Sequence, residues 1–267
     1  MSNAEYEYVV GQAQTSFPEL LLAYQAESDE IAARSDATID IRYGRHDRQT
    51  FDFFPCHSSQ PKGTLAYFHA GYWQSRDKST FRFIAKGLNA GGVNVAMVNY
   101  PLCPGVTIRG LINAASEALP HLMRMGNGLP LVLAGHSAGA HIAVELAERA
   151  KAKGMKLAGI AALSGIFDLR PLVTTSLNMR LRLDHPTALS VSPLLRVPFE
   201  MPPAIFAVGE KETDAFRIQN EQMATAWKVA GNCSEVHVID GADHFTILRN
   251  MTTSTDPLYD AIAAFFI

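Results

Sequence analysis

The order of apolar and polar positions along the chain predicts alternating strands and helices. Eight short runs rich in apolar and β-branched residues are separated mainly by stretches with helical spacing. From residue 64 onward these runs are almost continuously apolar, which is typical of strands buried on both faces of a parallel sheet. The helical stretches between them cover residues 78–90, 107–125, 138–153 and 214–230. We therefore predict an α/β fold with a mostly parallel central sheet of about eight strands flanked by helices.

Three segments depart from this alternation. "TIDIRYG" and "TFDFFP", separated by the polar "RHDRQ", predict two antiparallel strands in a hairpin. Before them, helical spacing begins after Ser16, with Pro18 in the first turn, so we expect residues 1–37 to form an N-terminal helical arm. Residues 168–202 contain several prolines and no clear strand, and an insertion of that length predicts a small helical cap or lid. Residues 1–267 would then form a single domain that carries this cap.

Composition narrows the class of protein. The 267 residues are 48% hydrophobic and 18% charged with a net charge of −3, which suits a globular protein with a large core. No basic stripe is present, so we expect no nucleic-acid partner. The three cysteines are widely spaced and predict neither a disulfide framework nor a metal site. We recognise no signal peptide and no membrane span, so we expect a cytoplasmic protein without a membrane partner. The oligomeric state is left open, with a homodimer as one option.

The sequence "GHSAG" at residues 135–139 is the strongest chemical motif. It follows the apolar run "PLVLA" and precedes a helical stretch, and a serine at such a strand–turn–helix junction is typical of a nucleophile elbow. Gly135 and Gly139 would let the strand and the helix approach each other closely. Ser137 is therefore the candidate nucleophile. The backbone N–H of Ala138, at the start of the helix, is a candidate donor to an oxyanion.

A serine hydroxyl needs a base to become a good nucleophile, and that base is usually histidine. His244 lies in "GADHF", in the loop after the last predicted strand, where the chain order nucleophile, acid, histidine requires it. His136, within the elbow, and His141, on the following helix, are weaker candidates.

Three carboxylates follow the preceding strand in one loop-to-helix junction, "GEKETDAF". We favour Asp214 as the acid that orients His244, with Glu210 and Glu212 as alternatives. By its position alone, Asp214 could also be an ordinary acid in the first turn of a helix.

The loop after the third predicted strand reads "HAGYW", residues 69–73. Backbone N–H groups near Gly71 and Tyr72 could face the same oxyanion as Ala138. We expect Tyr72, Trp73 and Phe167 to line the substrate site and to present apolar faces to the leaving group. For Trp73, packing in the core is an equal alternative.

Taken in order, these motifs resemble the α/β-hydrolase superfamily and, more narrowly, its arylformamidase (kynurenine formamidase) and esterase-like branch. The resemblance covers residues 38–267 and rests on "HAGYW", "GHSAG", "SGIFDLRPL", "ETDAF" and "DHF". It implies an α/β-hydrolase fold, Ser137, Asp214 and His244 as catalytic triad, and no cofactor or metal. Ala70 stands where the family has the first glycine of H-G-G-x-W, so a positive φ there would strain the loop.

The expected function is that of a serine hydrolase that cleaves a small-molecule amide or ester through an acyl-enzyme. The resemblance implies an arylformamidase-like enzyme for substrates of the N-formylkynurenine type. A general short-chain carboxylesterase is the alternative within this class. A hydrolase fold retained as a non-catalytic binding protein is the alternative from another class.

Overall fold

An eight-stranded sheet forms the centre of the molecule in a computed structural model, which describes residues 3–267. Its strand order is β1-β2-β4-β3-β5-β6-β7-β8. The pairings from β4 through β8 are parallel, whereas β2 runs antiparallel to both β1 and β4. The predicted hairpin and the mostly parallel sheet are confirmed. The strands are β1 (Thr38–Arg42), β2 (Thr50–Phe54), β3 (Gly63–Phe68), β4 (Val93–Val98), β5 (Leu131–His136), β6 (Gly159–Leu163), β7 (Ala204–Gly209) and β8 (Ser234–Ile239).

The sheet separates two hydrophobic cores because successive side chains of a strand point to opposite faces. In β3, Ala66 and Phe68 belong to one core and Leu65 and Tyr67 to the other. Every residue of β2 to β7 is buried, whereas the edge strand β8 has four residues that are exposed or half-buried. This burial explains why the parallel inner strands are almost continuously apolar in sequence.

Helices cover both faces of the sheet. The predicted stretch 107–125 divides into two helices, and 78–90 begins with a 3₁₀ turn at Lys78–Phe81. A further 3₁₀ turn, Ala264–Phe266, ends the last helix. The α-helices outside residues 168–202 are α1 (Asn3–Glu5), α2 (Phe17–Ala32), α3 (Ile84–Ala90), α4 (Ile108–Ser116), α5 (Ala118–Met125), α6 (Ala138–Ala152), α9 (Asp214–Val229), α10 (Ile247–Asn250) and α11 (Pro257–Ala263).

Residues 168–202, predicted as the cap, hold only short helical segments and no strand in the structure. They are a 3₁₀ turn at Arg170–Thr174, α7 (Asn178–Leu181), α8 (His185–Ser190) and a second 3₁₀ turn at Pro193–Leu195.

The N-terminal arm connects this segment to the loop after β7. A π-helical turn, Tyr6–Val10, lies between α1 and α2. The carboxylate of Glu5 accepts hydrogen bonds from the backbone N–H and the hydroxyl of Ser176, at 2.7 and 2.6 Å. The hydroxyl of Thr213 donates to the Glu7 carbonyl at 2.7 Å. The arm is thereby fixed beside the residues that precede α9.

Candidate active site

Ser137 occupies a sharp turn between β5 and α6. Its φ of 55° and ψ of −119° are unusual for a residue with a side chain, and such strain is concentrated at functional sites. The turn is held by a hydrogen bond from the Ser137 N–H to the Leu163 carbonyl on the neighbouring strand, at 2.8 Å. The predicted strand–turn–helix setting of the serine is therefore present.

The two glycines of the motif allow this turn. A Cβ on Gly135 would lie 2.2 Å from the carbonyl oxygen of Gly139, and a Cβ on Gly139 would lie 1.9 Å from that of Phe68. Backbone atoms cannot move aside as a flexible side chain can. Any larger residue at either position would push α6 away from the sheet and move Ser137 with it.

His244 lies in the loop after β8 and is only 3% exposed. Its Nδ1 is 2.7 Å from Oε2 of Glu212, whose side chain is fully buried. The other oxygen of Glu212 accepts hydrogen bonds from the Ser164 hydroxyl at 2.5 Å and from the Gly209 N–H at 2.8 Å. A buried carboxylate with three such partners is fixed in place and can hold one tautomer of the imidazole.

The prediction that Asp214 orients His244 is wrong. Asp214 is the first residue of α9, its side chain is 69% exposed, and its carboxylate pairs with Arg217 one turn later. Glu210 is also exposed and accepts from the Gly241 N–H at 2.9 Å. The Gly209 N–H donates to Glu212 and holds that side chain inward. Glu212, one of the two alternatives to Asp214, is therefore the carboxylate that contacts His244.

Ser137 and His244 line one cavity of about 190 Å³, although no hydrogen bond joins their side chains among the described residues. Serine–histidine contacts are often loose in the absence of substrate. His136 lines the same cavity, and its ring centroid lies 4.6 Å from that of His244. Burial lowers the pKa of His136 well below the usual value, and so does the neighbouring His244. His136 is therefore a neutral neighbour of the candidate base.

His141 has a structural position instead. The Trp73 indole N–H donates to its Nδ1 at 3.2 Å, so the proton of the neutral ring is on Nε2, which donates to the Val191 carbonyl at 2.8 Å. Burial lowers the pKa of His141. These bonds tie the loop after β3 to α6 and to the segment 168–202.

The loop after β3 has unusual backbone geometry at three successive residues. The φ angles of Gly71, Tyr72 and Trp73 are 127°, 50° and 59°. Ala70 is not among the described residues with positive φ, so its methyl group causes no strain of the expected kind. Within residues 3–267, the backbone N–H groups of Gly71, Tyr72 and Ala138 have no acceptor, which leaves them available to a ligand.

Five phenylalanine and tyrosine side chains line the cavity. Tyr72 lines it as predicted in sequence, and its hydroxyl donates to the Tyr8 carbonyl of the N-terminal arm. The arm also supplies Phe17, which stacks on Phe245 with ring centroids 3.7 Å apart. The remaining aromatic lining residues are Tyr24 and Phe81.

Trp73 and Phe167 do not line this cavity, so their prediction as substrate-binding residues needs correction. Both are fully buried in the core. Phe167 packs edge-on against Phe206 of β7, with ring centroids 5.5 Å apart. Trp73 is turned toward His141, which satisfies its indole N–H inside the protein.

Comparison with known proteins agrees with this architecture. A family model for the alpha/beta hydrolase fold matches residues 65–182. The kynurenine formamidase of Drosophila melanogaster is 31% identical over 237 residues, which cover 82% of this chain and 79% of that protein. The kynurenine formamidase of Danio rerio is 27% identical over 239 residues, covering 86% and 82%.

Solved structures give the same picture of the fold. A Silicibacter sp. tm1040 protein with a provisional thioesterase assignment is 27% identical, matches over 100% of both chains and has a TM-score of 0.86. A hyperthermophilic esterase from Pyrobaculum calidifontis is 19% identical, covers 94% of this chain and 90% of its own, and has a TM-score of 0.75.

Within residues 3–267, every helix is too short or too polar to span a lipid bilayer.

Proposed function

The chain belongs to the kynurenine formamidase family and is an arylformamidase-like α/β hydrolase, and from this premise we propose that it hydrolyses aryl formamides of the N-formylkynurenine type through a formyl-enzyme on Ser137. The observation that carries the proposal is the pairing of His244 with a buried Glu212 in the cavity that Ser137 also lines. This pairing supports Ser137 as the nucleophile, His244 as its base and Glu212 as the group that orients the base.

The reaction begins when Ser137 Oγ attacks the formyl carbon while His244 Nε2 takes the hydroxyl proton. Glu212 keeps the other imidazole proton on Nδ1 and stabilises the imidazolium that forms. The carbonyl oxygen becomes an oxyanion, for which the unoccupied N–H groups of Gly71, Tyr72 and Ala138 are the proposed donors. Such donors act at fixed positions and need no rearrangement during the reaction.

The tetrahedral intermediate then breaks at its carbon–nitrogen bond. His244 gives its proton to the leaving nitrogen, so the aryl amine departs neutral and the formyl group stays on Ser137 as an ester. A water molecule, deprotonated by His244, attacks this ester and releases formate. The proton then returns to Ser137 Oγ, and the enzyme is regenerated.

The cavity supports a substrate with a small acyl group and an aromatic leaving group. Its volume of about 190 Å³ is below the range of roughly 300–1,000 Å³ that is usual for drug-sized ligands. Its wall is rich in aromatic side chains, and an aryl ring packed against them gains about 0.5–1.5 kcal/mol beyond the burial of its area. A formyl group needs little room beside Ser137, so most of the cavity remains available to the aryl leaving group.

A substrate panel tests the proposal. We expect the purified protein to give a higher kcat/KM for N-formylkynurenine than for p-nitrophenyl esters of four or more acyl carbons, and a higher value than for acyl thioesters. If esters or thioesters are cleaved while aryl formamides are not, the formamidase proposal is refuted and an esterase or thioesterase function replaces it.

A further inference from the structure

Arg76 places an unpaired positive charge on the wall of the cavity. Its side chain lines the cavity that contains Ser137 and is exposed to solvent. Among the described residues, its guanidinium group has neither an ion pair nor a hydrogen bond. Partial burial lowers the pKa of Arg76, and no charged neighbour offsets this effect. A cation that has lost part of its water without gaining a carboxylate has unused capacity to bind an anion.

The backbone around Arg76 is fixed. Its φ is 74°, an uncommon value for a residue with a side chain. Its carbonyl accepts a hydrogen bond from Arg48 at 2.8 Å. The adjacent Asp77 cannot neutralise Arg76, because its carboxylate accepts from Arg48 at 3.0 Å and from Asn99 at 2.6 Å. The loop therefore holds Arg76 at the cavity while the nearest acid in sequence is occupied elsewhere.

The guanidinium group lies over an aromatic ring of the same cavity. Its central carbon is 5.2 Å from the ring centroid of Phe17, which in turn stacks on Phe245. A cation–π contact of this kind orients the planar group without using its N–H donors. Those donors remain available for the paired hydrogen bonds that arginine makes with a carboxylate.

We propose that Arg76 is a specificity-determining residue that binds a carboxylate on the leaving-group side of the substrate. The substrates that this contact favours are aryl formamides whose leaving amine carries a carboxylate. This inference rests on the proposed formamidase function and adds to it the residue that recognises the carboxylate of the leaving group. Arg76 would act through binding and would take no part in proton transfer.

The test compares two substrates that differ in the carboxylate. One is N-formylkynurenine and the other is N-formylkynuramine, which keeps the aryl formamide, the ortho ketone and the amine but lacks the carboxylate. We expect Arg76→Met to lower kcat/KM for the first by about 10- to 100-fold, mainly through a higher KM, because one charge-assisted interaction is lost. The value for the substrate without the carboxylate should not fall by more than about twofold. Arg76→Lys keeps the charge and should fall between wild type and Arg76→Met.

Arg124→Met is the matched control, because Arg124 is an exposed arginine of α5 that does not line the cavity. It should leave both substrates unaffected. If Arg76→Met leaves the ratio of the two kcat/KM values unchanged, Arg76 does not recognise the carboxylate. If wild type cleaves neither formamide, the proposed function itself fails, and that result is distinct from a failure of the Arg76 proposal.

Discussion

Replacing Glu212 with glutamine changes a single atom of the group that contacts His244, and we expect it to remove nearly all turnover. One carboxylate oxygen accepts from Ser164 and Gly209, and the other faces Nδ1 of His244. The Gly209 N–H can only donate, so the amide oxygen of a glutamine must stay on that side. The amide NH₂ group then faces Nδ1.

An NH₂ donor beside Nδ1 favours the tautomer of His244 that carries its proton on Nε2, and this tautomer cannot accept the proton of Ser137. The opposite orientation of the amide would leave the buried Gly209 N–H without an acceptor, at about 1–3 kcal/mol. Loss of the correct tautomer lowers kcat by about 10⁴ in serine hydrolases with such a triad, or roughly 5.5 kcal/mol of transition-state stabilisation.

The assay is the kcat of Glu212→Gln on an aryl formamide, with the melting temperature as evidence of an intact fold. Asp214→Asn is the control, because that exposed carboxylate pairs only with Arg217, and its kcat should stay within about twofold of wild type. The reasoning is refuted if Glu212→Gln keeps more than a tenth of the activity. A loss of 10³-fold or more in Asp214→Asn would refute it as well.

Two further predictions concern the oxyanion loop and stability. Gly71→Ala would place a Cβ 2.2 Å from the Ser75 carbonyl oxygen at a φ of 127°, so we expect kcat to fall by about 10²–10³, and a kcat within threefold of wild type would contradict this. Burial and the nearby Glu145 raise the pKa of Glu148 from 4.5 to about 7, although Arg196 opposes the shift. The folded state therefore binds more protons than the unfolded state between these pH values, and stability falls as pH rises through this window. Between pH 4.5 and 7, we expect the free energy of unfolding to fall less in Glu148→Gln than in wild type, by on the order of 1–2 kcal/mol. If urea titrations give the same pH dependence for both proteins, the shift is contradicted.

Much of the fold could be predicted from sequence because the parallel sheet is buried on both faces. Its inner strands must be continuously apolar, and the polar loops between them are then easy to separate from the helices. The elbow could be predicted for a related reason. Gly135 and Gly139 are required by backbone contacts to neighbouring elements, so the motif carries its own steric explanation. His244 could be predicted from chain order, because it lies in the loop after the last strand.

The acid could not be assigned, because three carboxylates lie within five residues and only the loop register decides which of them turns inward. That register depends on the hydrogen bond from the Gly209 N–H to Glu212, which no local pattern predicts. A weak signal against Asp214 was available in the Arg217 three residues later, since such i, i+3 pairs are typical of an exposed helix face.

The part of the cavity wall that the N-terminal arm and Arg76 supply was also missed, and for a different reason. Phe17 of the N-terminal arm meets Phe245, a contact between residues more than two hundred positions apart. Hydrophobic spacing marks Phe17 only as part of an amphipathic helix and does not name its partner. Arg76 likewise resembles any polar loop residue until its lack of an ion pair can be seen.

The central claim is that Ser137 hydrolyses aryl formamides, and the most direct measurement is the turnover of N-formylkynurenine by wild type and by Ser137→Ala. We expect a wild-type kcat/KM of at least about 10⁴ M⁻¹ s⁻¹ and a loss of about 10⁶-fold in kcat in the variant, whose melting temperature should stay close to that of wild type. Wild-type protein that releases no formate from this substrate would contradict the claim. So would a folded Ser137→Ala variant that works within tenfold of the wild-type rate.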